Sequence, residues 1–340
     1  AGAARRLADL TRGYAGVFPG GEEDVRLFSA PGRTELGGNH TDHQWGRCLA
    51  GSVDLDTIAC AAPNGTNMVR IQSRNHRMAE VSLDDLSVHP AETGSSVSLV
   101  RGVAARLREM GHAVGGFNAY TTTRVLRSSG LSSSAAFEVM VGACLAGLFG
   151  GGAWSGAGAA LGGVAGSVPA GADGEGAVAL DPVALALAAT TVEQRYFGKP
   201  CGAQDQLASA CGGVVATDFG PAVPVVEAVH LDAAAWGFGI VLIDSRQDHS
   251  QHNDEFAAIP ADMGRVARLL GVDRLGDGSV DELLDRLGAV RATLGDQCAL
   301  RALHYYDEVA RVNAQRAALE RDDFAAFLGL VRASGVSSAQ

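Results

Sequence analysis

Gly130-Leu131-Ser132-Ser133-Ser134-Ala135-Ala136 runs directly into the apolar stretch Phe137 to Phe149. The first backbone N–H groups of a helix have no internal partner and stand at the positive end of its dipole, so a helix opened this way can hold an anion. Small side chains let a phosphate approach, and the hydroxyls add donors and an oxygen ligand for Mg²⁺. A nucleotide is the natural ligand of such a helix start. The same residues equally suit an ordinary N-cap ahead of a core helix, where serine is common. No Gly-x-x-x-x-Gly-Lys-[Ser/Thr] occurs, and Gly198-Lys199 runs into Pro200, which excludes a Walker-type loop. Elsewhere His40, Asp42 and His43 lie close together, as do His249 and His252. Their spacing invites a transition metal, but no third-ligand pattern accompanies either group. A polar sugar would use the same mixture of imidazole and carboxylate.

The elements around these residues follow from apolar periodicity. Alternation over Val25 to Ser29 predicts a strand feeding a loop that holds His40 and Asp42. Further strands are expected over Cys48 to Ala62 and Met68 to Ser73, broken at Pro63-Asn64-Gly65. Leu99, Val103, Leu107 and Met110 give helical spacing ended by Gly111, and Gly116 to Val125 reads as a strand entering the serine-rich turn. Gly150 to Ala179 is rich in glycine and alanine and reads as a surface loop. Helices are expected over Pro182 to Phe197 and Gly202 to Ala210, the second with Asp205 in its first turn. Strands follow over Gly213 to Asp218, Val223 to Leu231 and Gly237 to Ser245. Helices over Asp254 to Leu270, Val280 to Leu294, Gln297 to Glu320 and Phe324 to Arg332 close the chain.

Three segments resemble motifs of the galactokinase branch of the GHMP small-molecule kinases. Gly130 to Ala136 is similar to the family's phosphate loop. Pro31-Gly32-Arg33-Thr34-Glu35-Leu36-Gly37-Gly38-Asn39-His40-Thr41-Asp42-His43 resembles its sugar motif. Pro200-Cys201-Gly202-Ala203-Gln204-Asp205-Gln206 resembles the stretch carrying its catalytic aspartate, with Glu193 twelve residues ahead of Asp205. The resemblance spans roughly Val25 to Gln340. It implies an α+β, two-domain GHMP kinase fold, with a mixed-sheet N-terminal domain and a C-terminal domain of antiparallel sheet and helices. It implies ATP and Mg²⁺ as cofactors and transfer of the γ-phosphoryl group to the anomeric hydroxyl of galactose or a close relative. By the same resemblance Asp205 is the catalytic base and Arg33 its cationic neighbour. Ser128, Ser129, Gly130, Leu131, Ser132, Ser133 and Ser134 contact phosphate, and Ser134 and Glu193 hold the metal. Arg33, Asn39, His40, Asp42, Gly202, Asp205 and Phe256 contact the sugar.

This chain departs from the family pattern at Asn39, where glutamate is usual, at Phe256, where a tyrosine is usual, and at Ser128, where a glycine opens the phosphate loop. Two of these touch the sugar, so a 1-kinase for another galactose-like sugar is the first alternative. A non-catalytic sugar and ATP sensor is the second, and the presence of both Asp205 and Arg33 counts against it. The family's C-terminal glycine-rich segment is missing before Gln340, so the chain is expected to be an incomplete kinase with an exposed sheet edge.

Composition sets the remaining bounds. The 340 residues suffice for two domains, 1–199 and 200–340, with the site expected between them, and 47% hydrophobic residues supply ample core. A net charge of −11 without any basic cluster argues against a nucleic-acid partner. The six cysteines form neither a C-x-x-C pair nor a disulfide-dense pattern, the run Val139 to Phe149 is too short to span a bilayer, and Ala1 to Leu10 lacks an apolar signal core. A cytoplasmic protein that engages no membrane is expected.

Overall fold

The computed structural model of the chain describes residues 2–21, 24–126, 129–150, 180–243 and 253–339. They form two compact units, one built from residues 1–33 and 52–212 and the other from 34–51 and 213–340. Two long strands, β1 (Arg26–Gly37) and β2 (Arg47–Pro63), contribute residues to both units. The units therefore do not follow a boundary at Lys199. Residues 200–212 belong to the first because their helix packs under β1, where the Ser209 hydroxyl donates to the Pro31 carbonyl at 2.7 Å. Residues 34–51 belong to the second because Leu36 and Gly38 bond to a long helix of that unit.

In the first unit the strand order is β4 (Ala79–Ser82), β3 (Met68–Ser73), β5 (Phe117–Thr123), β2. The β3–β5 pair is parallel, with Arg70 opposite Asn118; the β3–β4 and β2–β5 pairs are antiparallel. Successive residues of a strand face opposite sides, so β2 must be apolar throughout if both sides are covered. Ala59 and Ala61 lie in the core under α2 (Ser96–Glu109), α3 (Ser133–Phe149) and α4 (Pro182–Val192). Ile58, Cys60 and Ala62 meet Leu10 and Tyr14 of α1 (Gly2–Val17) on the other side. Burying Leu10 alone contributes about 1.5–3 kcal/mol of apolar transfer free energy. That N-terminal helix is absent from the periodicity reading, which notes of Ala1 to Leu10 only the lack of an apolar signal core.

α4 gives way to a π-helical turn at Glu193–Phe197, and α5 (Gln204–Cys211) completes the unit. Gly198 ends the π turn at φ 82°, and a Cβ there would come within 2.9 Å of Thr93 Cγ2, so glycine suits both the backbone and the space. β1 is longer than its alternation suggests and takes Pro31 to Gly37 of the sugar-motif segment onto a strand, leaving only Gly38 to Gly46 as a loop.

In the second unit β2 pairs antiparallel with β6 (Val214–Asp218), and β6 with β7 (Val225–Val229). The helices are α6 (Asn253–Leu270), α7 (Val280–Asp285), α8 (Leu287–Leu294), α9 (Asp296–Glu320) and α10 (Phe324–Ser338). A single helix over 280–294 is interrupted at Arg286, whose N–H closes a tight turn on Leu283. One core joins Met263, Val266, Leu283, Val290, Ala302 and Tyr305; a second joins Leu49, Ala216, Val312, Phe324 and Phe327.

The strand expected over Gly237 to Ser245 is not formed in its described part, 237–243, where Phe238, Ile240, Val241 and Ile243 are exposed. Alternation makes a segment competent for a sheet, but a strand exists only where a neighbour takes its N–H and C=O groups. Among the described residues no strand pairs with 237–243, and the Gly237 and Phe238 N–H groups close a local turn on the Ala234 and Ala233 carbonyls instead. The described helices include none long and apolar enough to cross a membrane, and all six cysteines are free thiols.

Candidate active site

Asp205 enters the first turn of α5, where the helix dipole favours a carboxylate. Arg33, on β1, reaches it from the sheet: its Nε donates to Oδ1 at 2.8 Å, and Nη2 donates to the same oxygen. The third guanidinium nitrogen, Nη1, donates to the Gly130 carbonyl at 2.7 Å, and the Arg33 backbone N–H donates to the Leu131 carbonyl at 3.1 Å. One arginine thus ties the aspartate to the serine-rich turn. The opposite oxygen, Oδ2, accepts the Ser132 hydroxyl at 2.5 Å. Ser132 adopts φ 57°, an uncommon left-handed conformation for a residue with a side chain, and makes no side-chain cap to the helix it precedes. Its hydroxyl is spent on Asp205, which leaves the first-turn amides of α3 without a capping side chain. Burial is the largest single influence on Asp205 and pushes its pKa up. The Arg33 charge, the Ser132 hydroxyl and the Lys199 charge outweigh it and hold the carboxyl below its ordinary range.

Glu193, at the end of α4, lies in a second polar group. Its Oε1 accepts the Ser134 hydroxyl at 2.7 Å and the Lys199 ammonium at 2.9 Å, and its Oε2 accepts Gln206 Nε2 at 2.7 Å. Gln206 also donates to Glu138 Oε2 at 3.2 Å, so one buried amide joins two carboxyl groups. Glu138 is fully buried on α3 and its Oε1 has no hydrogen-bond partner among the described residues; burial first, then the Glu193 charge, push its pKa well above the carboxylate range. Ser134 and Glu193 present hard oxygen donors at hydrogen-bond distance, a set that suits Mg²⁺, which binds few protein groups and keeps phosphate and water oxygens.

In the second unit the sugar-motif segment is folded around Thr41. The buried Thr41 hydroxyl lies 2.9 Å from the Gly38 carbonyl and 2.8 Å from the Arg47 carbonyl, and the Gly46 N–H donates to the Thr41 carbonyl. Gly38 takes φ 89°, and a Cβ there would meet the Arg47 carbonyl at 2.3 Å, which explains the glycine. Its N–H donates to the buried Glu308 Oε2 of α9 at 3.0 Å. His304 Nε2 lies 3.1 Å from the Asn39 carbonyl, which requires the proton on that nitrogen. The His40 ring lies 6.4 Å from His43 and 6.2 Å from Phe256 on α6, between centroids. The Asp42 carboxylate accepts the His43 N–H at 2.9 Å.

Burial is the main reason the His40 pKa falls from 6.5 to about 4, assisted by His43, His304 and Arg301 and opposed by Asp42. His40 is neutral at pH 7 and can both donate and accept. Its folded pKa lies below the unfolded one, so it takes stability away as pH falls from 6.5 toward 4, and its effect is level below that. An NMR titration of the imidazole should show a midpoint near 4. A midpoint near 6.5 would mean a solvated ring.

Of the expected site residues, Arg33, Gly130, Leu131, Ser132, Ser133, Ser134, Glu193, Gly202 and Asp205 lie in the first unit, and Asn39, His40, Asp42 and Phe256 in the second. Leu131 enters through its backbone, since its side chain is buried with Val125 and Ala136. Ser129 turns its hydroxyl to the Leu126 carbonyl at 2.7 Å. Ser128, His249, His252 and nearly all of the glycine-rich segment fall outside the described residues. Burial pushes the Cys201 thiol far above its ordinary pKa, which disfavours the thiolate. Among the described residues no three His, Cys, Asp or Glu side chains converge as a metal site. Sequence reasoning missed Lys199, Gln206 and Glu138 as neighbours of Glu193. Glu138 did carry a signal, as the lone charged residue in an otherwise apolar helix.

Comparison with known proteins matches residues 14–63 to the galactokinase galactose-binding signature and residues 98–213 to the N-terminal domain of GHMP kinases. The chain is 29% identical over 324 residues to a galactokinase of Streptomyces coelicolor, covering 94% of this chain and 75% of that protein. Among solved structures, Lactococcus lactis galactokinase complexed with galactose superimposes with a TM-score of 0.72 at 25% identity, covering 97% of this chain and 79% of that one. A D-glycero-D-manno-heptose 1-phosphate kinase from Bacteroides thetaiotaomicron shares the fold, with a TM-score of 0.55 at 15% identity over 93% of this chain and 79% of its own.

Proposed function

This chain belongs to the galactokinase branch of the GHMP kinases, and from that premise we infer that it transfers the γ-phosphoryl group of ATP to the anomeric hydroxyl of galactose or a close relative. The observation that carries the reading is Asp205 held between Arg33 and Ser132 beside the open first turn of α3. Phosphoryl transfer needs little covalent work from a protein; it needs an oriented nucleophile and compensated charge. Asp205, kept ionised, accepts or orients the hydroxyl proton. Arg33 keeps it ionised and adds positive charge as the phosphoryl group moves. The first-turn amides of Ser133–Ala135, which have no partner within the helix, receive phosphate oxygens. Ser134 and Glu193 would hold Mg²⁺, which when bound supplies charge neutralisation on the phosphates. His40 and Asp42, with Asn39 and Phe256, supply hydrogen-bonding and apolar contacts to the sugar.

Sugar choice rests on Asn39 and Phe256, and the ring of Phe256 beside His40 supports a place for it in recognition. Hydrogen bonds to a charged group are worth about 1.5–3 kcal/mol and neutral ones about 0.5–1.5, so an amide and a phenyl in place of a carboxylate and a phenol weaken galactose binding by about one to three powers of ten. A high KM for galactose is expected, with 6-deoxy or 6-oxidised analogues closer in kcat/KM than an enzyme with glutamate would allow. A coupled ADP-release assay over a panel of free sugars, on wild type and the Asn39→Glu, Phe256→Tyr double variant, tests this. Release of ADP with none of the sugars would sink the kinase reading. A preference for galactose above about a thousandfold that the double variant leaves unchanged would make both departures silent.

A further inference from the structure

Glu193 is 1% exposed and Lys199 is 42% exposed, yet their side chains form an ion pair at 2.9 Å. The backbone is shaped to bring them together. The π turn widens the helix end, Gly198 at φ 82° reverses the chain, and the Gly198 and Lys199 N–H groups both return to the Glu193 carbonyl. The two carboxylate oxygens are then used differently. Gln206, itself fully buried, fixes Oε2, while Oε1 faces Ser134 and the ammonium. The oxygen that a divalent cation would share with Ser134 is the oxygen that Lys199 already occupies.

We infer that Lys199 is a built-in counter-ion that holds the Ser134–Glu193 seat in the metal-free protein and must leave Glu193 Oε1 for a divalent cation to take it. This rests on the reading of Ser134 and Glu193 as metal ligands. A buried carboxylate left alone is unfavourable, so without metal some cation must stay with it. An ammonium on a flexible four-carbon stem, partly in solvent, can do so and still withdraw; the planar guanidinium of an arginine, making several bonds at once, would withdraw less readily. Gln206 keeps the carboxylate oriented while the cations exchange. Lys199 thereby sets the divalent-ion concentration at which the seat fills. It is a positioning residue and touches no reacting atom.

A purely structural salt bridge and a competing counter-ion predict opposite signs on metal binding. The test uses the full 340-residue chain with ADP present. Mn²⁺ binding is followed by electron paramagnetic resonance, and the melting temperature is followed against Mg²⁺, in wild type, Lys199→Met, Lys199→Arg and Glu193→Gln. Lys199→Met should melt lower than wild type without metal, yet half-saturate at roughly threefold to tenfold less Mn²⁺, as expected when a competing ion pair is removed. Lys199→Arg should half-saturate at the wild-type concentration or higher, and it reports on the exchange even if Lys199→Met does not fold. Weaker or unchanged Mn²⁺ binding in Lys199→Met, or tighter binding in Lys199→Arg, overturns the inference. If Glu193→Gln binds Mn²⁺ like wild type, the metal-ligand reading itself has failed. Loss of binding in Glu193→Gln with no gain in Lys199→Met confines the failure to Lys199.

Discussion

Asp205→Asn should lower turnover by roughly 10²–10⁴-fold, the range typical of losing a positioned general base, while leaving nucleotide binding nearly intact. Asparagine keeps the size of the side chain, and its carbonyl oxygen can still accept from Arg33 Nε, where the wild-type distance is 2.8 Å. Its amide nitrogen would face Ser132, whose hydroxyl can accept instead of donate. The packing of α5 therefore survives and the lost quantity is the negative charge. The amides proposed to receive phosphate belong to α3, not to α5, so an ADP analogue should bind with little change. Single-turnover rate and nucleotide affinity, measured on the same preparation, separate the two. Retention of half the wild-type rate would remove Asp205 from the chemistry.

The parts of this site legible in the sequence are those whose meaning is local. A glycine and serines ahead of an apolar run announce a helix start with free amides, and Ser133 does open α3. Arg33 and Asp205 are 172 residues apart, and no periodicity pairs them; only the motif resemblance did, and their ion pair lies within one compact unit. Pro31-Gly32 looks like a strand breaker, yet β1 runs through it. That stretch turns its backbone to the helix-start loop, where Arg33 N–H meets Leu131 carbonyl, and a missing ladder donor at Pro31 is tolerated. Lys199 and Gln206 became neighbours of Glu193 only through a π turn and a left-handed glycine, neither of which leaves a period in the sequence. The apolar alternation after Gly237 shows the converse limit. It states a capacity for pairing without naming a partner, and 238–243 stay exposed.

Arg33→Met should reduce kcat by about 10²–10³-fold, comparable to removing one preorganised charge donor, and should also move the acid limb of the pH–rate profile upward. In wild type the burial of Asp205 pushes its pKa up, and Arg33, Ser132 and Lys199 together bring it below the ordinary value. Without the guanidinium, burial is opposed by Ser132 and Lys199 alone, so the carboxylate takes its proton at higher pH and the base is lost sooner on acidification. Stability follows the same linkage. A depressed carboxyl pKa stabilises the fold above the unfolded value of 3.8 and is lost as pH falls through the folded value. The variant should therefore be less stable than wild type by about 1–3 kcal/mol at pH 7.5, with the gap closing in acid as the unpaired carboxylate protonates. That range lies below the fully buried limit because Arg33 and Asp205 are 15% and 22% exposed. Arg33→Lys keeps the charge but cannot serve Asp205 Oδ1 and the Gly130 carbonyl together, so it should fall between the two. Adding Asp205→Asn to Arg33→Met should recover stability without recovering rate, because the stranded charge is gone and so is the base. If the acid limb of Arg33→Met coincides with that of wild type, Arg33 does not govern the ionisation of Asp205, and its contribution is to structure alone.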